Sequence, residues 1–139
     1  MLMISGDRVR KKLIVTSTER SSNVRNTLFN GIAEVVEDGE NRKIIYRESD
    51  GTTEVTFTAH SDFAHLRRSG EMLTQLHFDQ NTTQTVGSVT NELGYLELII
   101  QTQTYICTRD VIAVEYAVLN ENEVIESYRL IWKIKDISA

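Results

Sequence analysis

Apolar and polar residues alternate along most of this chain with a period of two, and the alternation is broken every six to fourteen residues by a turn cluster. That period belongs to β-strands whose two faces meet different surroundings. It predicts about ten strands, over 11–18, 27–36, 42–48, 53–59, 63–68, 72–78, 83–89, 95–108, 111–119 and 124–135. The punctuation between them is strongest at Asp38-Gly39-Glu40-Asn41, Ser49-Asp50-Gly51, Ser69-Gly70, Asn91-Glu92-Leu93-Gly94 and Asn120-Glu121-Asn122-Glu123. Asp50-Gly51 is a hairpin signal because Asp-Gly tolerates the positive φ of primed turns, and the same freedom is expected of Gly70. Helix is limited to a short turn near 19–26.

Face by face, the last three strands carry the clearest signal. Val124, Tyr128, Leu130, Trp132 and Ile134 share one face of the final strand, and Ile112, Val114, Tyr116 and Val118 share one face of the strand before it. Leu96, Leu98, Ile100 and Ile106 fall together on the long strand, with Thr102 and Thr104 between them. Consecutive strands with one apolar face each, joined by short turns, form a meander, and a meander this long removes its exposed edges by closing on itself. The absence of proline suits continuous ladders. The expected fold is all-β: a single antiparallel barrel of about 8–10 strands over 1–139, with residues 1–10 a flexible N-terminal segment.

The length, 139 residues, is enough for one unstapled core, and the 40% hydrophobic and 25% charged content is that of a globular domain. The net charge of −5 argues against nucleic acid as a partner. Arg8, Arg10, Lys11, Lys12, Arg20 and Arg25 give residues 1–25 a local charge of +4, which reads as a solvated strand edge. A lone cysteine, Cys107, suits a reducing compartment, and no apolar run reaches a signal peptide or membrane span, so the expected location is the cytoplasm. Asn81-Thr82-Thr83 matches a glycosylation acceptor, a coincidence in such a compartment.

No catalytic, metal or cofactor motif is expected. His60, His65 and His77 invite a metal reading, but a two-residue turn at Ser69-Gly70 sends His65 and His77 to opposite faces; a three-residue loop would reverse this. Cys107 has no histidine in sequence reach to act as its base. The glycines are scattered and form no phosphate loop. Thr102, Thr104, Tyr116, Glu126 and Tyr128 share the parity of core-facing neighbours, and polar groups on an inward face need a partner, water or a ligand.

Arg68-Ser69-Gly70, Phe78 and Gly94-x-Leu96-x-Leu98 followed by Thr102, with Tyr46-x-Glu48 ahead of the hairpin, form a set spread over residues 26–135. In that order they resemble the YwiB-like family of small proteins from low-GC Gram-positive bacteria. The resemblance implies a calycin-like barrel, the class of lipocalins and fatty-acid-binding proteins, and supplies no activity. Ile100 stands where the family tends to place a threonine. The lipocalin Gly-x-Trp on the first strand is absent, since the single tryptophan is Trp132 on the last. The Arg-x-Tyr pair of fatty-acid-binding proteins is absent too: two positions beyond Arg129 stands Ile131.

Two functions follow as expectations. In the first, a non-enzymatic barrel binds a small apolar or amphipathic ligand in its lumen or mouth, lined by Tyr46, Phe57, Phe78, Thr102, Tyr116, Tyr128 and Trp132, with Arg68 a polar handle near a rim. In the second, a filled barrel serves as an interaction or assembly module, and forms a homodimer through a strand edge or an outer apolar patch of Leu119, Ile125 and Ile131.

Overall fold

In a computed structural model of the protein, which describes residues 7–137, the regular elements are ten strands. These are β1 (Asp7–Glu19), β2 (Val24–Asp38), β3 (Asn41–Arg47), β4 (Glu54–Ala59), β5 (Phe63–Ser69), β6 (Leu73–Asp79), β7 (Thr85–Asn91), β8 (Gly94–Cys107), β9 (Val111–Asn120) and β10 (Glu123–Asp136). Each pairs antiparallel with its sequence neighbours, and β1 also pairs with β10, from Lys11↔Asp136 to Glu19↔Tyr128, closing an up-and-down barrel. Every strand among the described residues thus has a hydrogen-bonded neighbour on each side. Of the N-terminal segment expected to be flexible, residues 7–10 pair with β2 as part of β1, and residues 1–6 lie outside the described residues.

The lumen is a side-chain core, because alternate residues of every strand point inward. Leu13, Val15, Ile44, Val55, Phe57, Phe78, Ile100, Ile112, Val114 and Trp132 are fully buried there. Phe57 and Trp132 meet across the barrel as a stack with ring centroids 3.9 Å apart, and Phe78 packs on Tyr116 at 4.9 Å. Aromatic pairs add about 0.5–1.5 kcal/mol to the burial of their area.

Bulges overturn the strict alternation at two places. Between Thr102 and Thr104 the register of β8 on β9 shifts by one residue, so Thr104 pairs outward with Glu115 and Tyr105 turns in. Ile106, expected in the core, is 49% exposed, and Tyr105 is buried. A second shift between Val124 and Glu126 leaves Val124 opposite Leu119 on the outer face and 58% exposed. One extra residue inverts the parity of all that follows it on the strand.

The β5–β6 connection also departs from expectation. Ser69 pairs with Leu73, so the loop is the three residues 70–72, and His65 stands directly opposite His77 on the outer face. Gly51 has the positive φ expected of it, +76°, but Gly70 does not. Gly70 is required for close approach instead: a Cβ there would lie 2.6 Å from the Thr53 hydroxyl oxygen. Thr53 is buried and held by Asp50, which accepts hydrogen bonds from the Thr53 hydroxyl and from the N–H groups of Thr53 (2.8 Å) and Thr52 (2.9 Å).

Two outcomes follow from this turn. Gly70→Ala is expected to lower stability by about 1–3 kcal/mol through overpacking, and to cost much less in a Thr53→Ala background; equal costs in the two backgrounds, read from urea midpoints, would remove Thr53 as the cause. The bonds to Asp50, the Thr53 hydroxyl foremost, hold its carboxyl down at about 2. The folded state therefore favours the ionised form: the contribution is full above the ordinary carboxylate range and is lost as pH falls toward the folded value. Asp50→Asn should flatten the decline of the urea midpoint between about pH 4 and pH 2.

Candidate functional site

The two ends of the barrel differ. At the end carrying the 38–41, 59–63 and 107–111 turns, Leu13, Val35, Ala59, Ala64 and Ile112 are buried on the inner face. Tyr105 donates from its hydroxyl to the His60 carbonyl at 2.6 Å, and Arg42 donates to the carbonyls of Thr108 and Arg109. These contacts close that end.

Toward the opposite end exposure rises strand by strand on the inner face. On β10 it goes from 1% at Trp132 to 6% at Leu130, and Tyr128 is half-exposed. The same progression runs through Val114, Tyr116 and Val118 on β9, and through Phe78, Leu76 and Thr74 on β6. It also runs through Ala64, Leu66 and Arg68 on β5, and through Ile100, Leu98 and Leu96 on β8. The lumen is filled, but it opens into a mouth walled by Phe29, Val89, Leu98, Val118 and Tyr128. Leu98, expected to be buried beside Val114 and Leu130, is part of that wall.

Polar groups gather at the mouth. Arg68 donates to Glu48 through Nε (2.8 Å) and Nη2 (2.7 Å), a two-bond clamp that fixes both side chains and raises the Arg68 pKa. Phe29 packs on Tyr46 at 4.6 Å, and Tyr116 on Tyr128 at 5.5 Å. Burial pushes the Tyr46 pKa well up, Glu48 adds to it, and the Trp132 N–H and Arg68 oppose it. Burial also raises Tyr116, with Tyr128 beside it, and raises Tyr128, with Glu126 and Glu19 contributing. All three hydroxyls are therefore hydrogen-bond donors at neutral pH. The Trp132 indole N–H is buried without a hydrogen-bond partner; the Tyr46 hydroxyl is near enough to act on it, but the pair falls short of bonding geometry.

Of the eight residues singled out from the sequence, Tyr46, Arg68, Tyr116 and Tyr128 are brought to this mouth. Phe57, Phe78 and Trp132 form the packed floor beneath it. Thr102 is elsewhere and already engaged. β7 pairs with β6 only from Leu73↔Thr90 to Gln75↔Ser88, and beyond that point side chains carry the seam. Thr102 Oγ1 accepts from the Asp79 N–H at 3.1 Å, and the Thr85 hydroxyl donates to the His77 carbonyl. Gly87 lies within the same seam, where a Cβ would sit 2.8 Å from the Gln75 carbonyl oxygen. Phe29, Val89, Val118 and Glu48 were not singled out. Only Glu48 had a local signal, its spacing from Tyr46.

Elsewhere the chemistry is thinner. His65 and His77 stack edge-on at 6.1 Å, which corrects their expected separation to opposite faces, and burial, His77 and Arg67 lower the His65 pKa. Among the described residues no group of three His, Cys, Asp or Glu side chains converges as a metal site would need. Cys107 has Arg42 Nη2 at 3.4 Å, beside a depression of about 580 Å³ at the closed end, with the guanidinium already spent on carbonyls. Of the outer patch, Leu119 is buried between its neighbours, Ile131 is half-exposed and Ile125 is 61% exposed.

Comparison with known proteins places this architecture. The sequence matches a family described as a domain of unknown function, DUF1934, over residues 13–131. The crystal structure of the ywiB protein from Bacillus subtilis superposes with a TM-score of 0.72, at 12% identity, over 96% of each chain. At that identity the likeness shows the fold, a calycin-like ten-stranded barrel. No curated protein matches the sequence.

Thr102→Val keeps the volume and removes the acceptor for the Asp79 N–H. It is expected to destabilise by about 1–3 kcal/mol and to speed hydrogen exchange at the Asp79 amide, whereas Thr102→Ser should preserve both. An unchanged exchange rate in the valine variant would show that the seam does not depend on this bond.

Proposed function

We infer, for a chain that belongs to the DUF1934 family and therefore to a domain of unknown function, a binding role without catalysis: it takes up a small, partly apolar ligand at the open mouth of the barrel. The observation that carries this is the graded exposure of the inner face. A barrel built only for stability would close both ends, as this one closes the end at Tyr105 and Arg42. At the other end apolar walls stand half-exposed above phenolic donors, with one rigid ion pair at the rim, which is the mixture a small-molecule site needs. The ligand sits in the mouth and not deeper, because the Phe57–Trp132 stack occupies the lumen. Cytoplasmic location belongs to the same reading and is supported by the free thiol of Cys107. No helix among the described residues is long and apolar enough to cross a membrane.

A filled barrel acting through its outer surface is the second reading, favoured by the exposure of Val124, Ile125, Tyr95 and Leu93 around the same end.

The test uses Trp132 as reporter, since the chain has one tryptophan. Small neutral aromatic alcohols should shift its emission and raise Tm in proportion to occupancy. Val118→Trp, read by Tm alone, should fill the mouth and abolish the rise while leaving the urea midpoint near that of the parent. A Tm rise that survives this substitution would place binding elsewhere.

A further inference from the structure

We propose that the mouth selects a small organic cation, with a positive group held at the rim and an apolar body laid against the aromatic wall. The inference rests on the mouth being the binding site, and adds the charge of what it binds. The carboxylates are placed by the fold. Glu19 is the cross-strand partner of Tyr128, and Glu126 stands two residues outward from Tyr128 on the same strand, opposite Val118. Glu48 lies two residues beyond Tyr46 and clamps Arg68, on which Asp50 also acts. Four carboxylates thus stand at the opening, and the Arg68 guanidinium among them is already paired with Glu48.

Hydrogen bonds fix these carboxylates without neutralising them. Glu126 accepts from the Ser21 hydroxyl and from the N–H groups of Ser127 (2.9 Å) and Ser21 (3.3 Å), and Glu19 accepts from the Ser22 hydroxyl at 2.9 Å. Beneath them are the ring pairs Tyr116–Tyr128 and Phe29–Tyr46. Aromatic faces attract cations through their quadrupole, and the attraction grows as the site is desolvated. A carboxylate ligand of the fatty-acid kind would meet a net negative rim.

An independent observation points to a ligand at the floor. The Trp132 N–H, 1% exposed, can only donate, and no acceptor among the described residues meets it at bonding geometry. The Tyr46 hydroxyl is acted on by this N–H and by the Arg68–Glu48 pair.

The experiment compares three probes with the same phenylethyl body: phenethylammonium, phenethyl alcohol and hydrocinnamate. Binding to the full chain is followed by Trp132 emission, Tm and titration calorimetry. The ammonium should bind about three- to tenfold more tightly than the alcohol, and the carboxylate most weakly. Glu126→Gln and Glu19→Gln each remove the charge and keep one acceptor oxygen, and should each erode the preference for the ammonium while leaving affinity for the alcohol unchanged. Tyr128→Leu should weaken the ammonium more than the alcohol. Equal binding of alcohol and ammonium, or tighter binding of the carboxylate, would overturn the charge selection and leave the mouth as a binding site. A preference that persists in the Glu19→Gln, Glu126→Gln double variant would overturn it as well. If no probe of any charge binds, the mouth reading fails and this inference falls with it.

Discussion

β1 has a hydrogen-bonded neighbour on each side, β2 on one and β10 on the other, and the rest of the molecule follows from that closure. Unpaired backbone N–H and C=O groups are costly when buried and invite association when exposed, so a sheet of this length is most stable without edges. Closure creates an interior lined by alternate residues of all ten strands. The interior must then be filled, and it is filled by the largest side chains the chain possesses: Trp132 and Phe57 in a stack, Phe78 on Tyr116, and aliphatic residues between them.

The same constraint explains the weak sector at β7. This strand is short and leaves β6 after three residue pairs, so the ring of backbone hydrogen bonds is interrupted on one side. Threonine hydroxyls take over where the ladder stops: Thr85 serves the His77 carbonyl, and Thr102, one strand further on, serves the Asp79 N–H. A hydroxyl on an inward-facing position is thus explained by a backbone group and not by a ligand. That is the reverse of what Tyr46, Tyr116 and Tyr128 present at the mouth, where phenolic groups stand in a partly open space beside carboxylates. Polar groups inside a barrel have either kind of partner, and only their neighbours across the sheet distinguish the two.

The asymmetry of the ends gives the molecule the form of a cup. Arg42 is spent on the carbonyls of the 107–111 turn and Tyr105 on that of His60, so both side chains serve to hold that end together. Arg68 is likewise paired, but with a carboxylate on the rim, so it shapes the opening instead of closing it. The electrostatic sign of the mouth is set by this pairing: once Glu48 and Arg68 offset each other, Glu19, Glu126 and Asp50 remain.

Strand number, fold class and the inward face of β9 and most of β10 were legible in the sequence, because a half-buried strand writes its burial directly into residue parity. Gly51 was legible for an equally local reason, the positive φ of an Asp-Gly turn. What tertiary structure alone decided were the points where parity breaks. An extra residue at Gln103 turned Tyr105 inward and Ile106 outward, another at Ile125 expelled Val124, and a third loop residue after Gly70 set His65 against His77. No residue type marks those insertions, since each is fixed by how two strands align over their whole length. The partners of Thr102 and Arg68 lie 23 and 20 residues away, and the restriction at Gly70 comes from Thr53 in another loop. Local chemistry in the sequence determines which face a residue can take. Which groups meet, and which end stays open, is determined by closure of the sheet, which brings together residues whose separation along the chain carries no information about their distance.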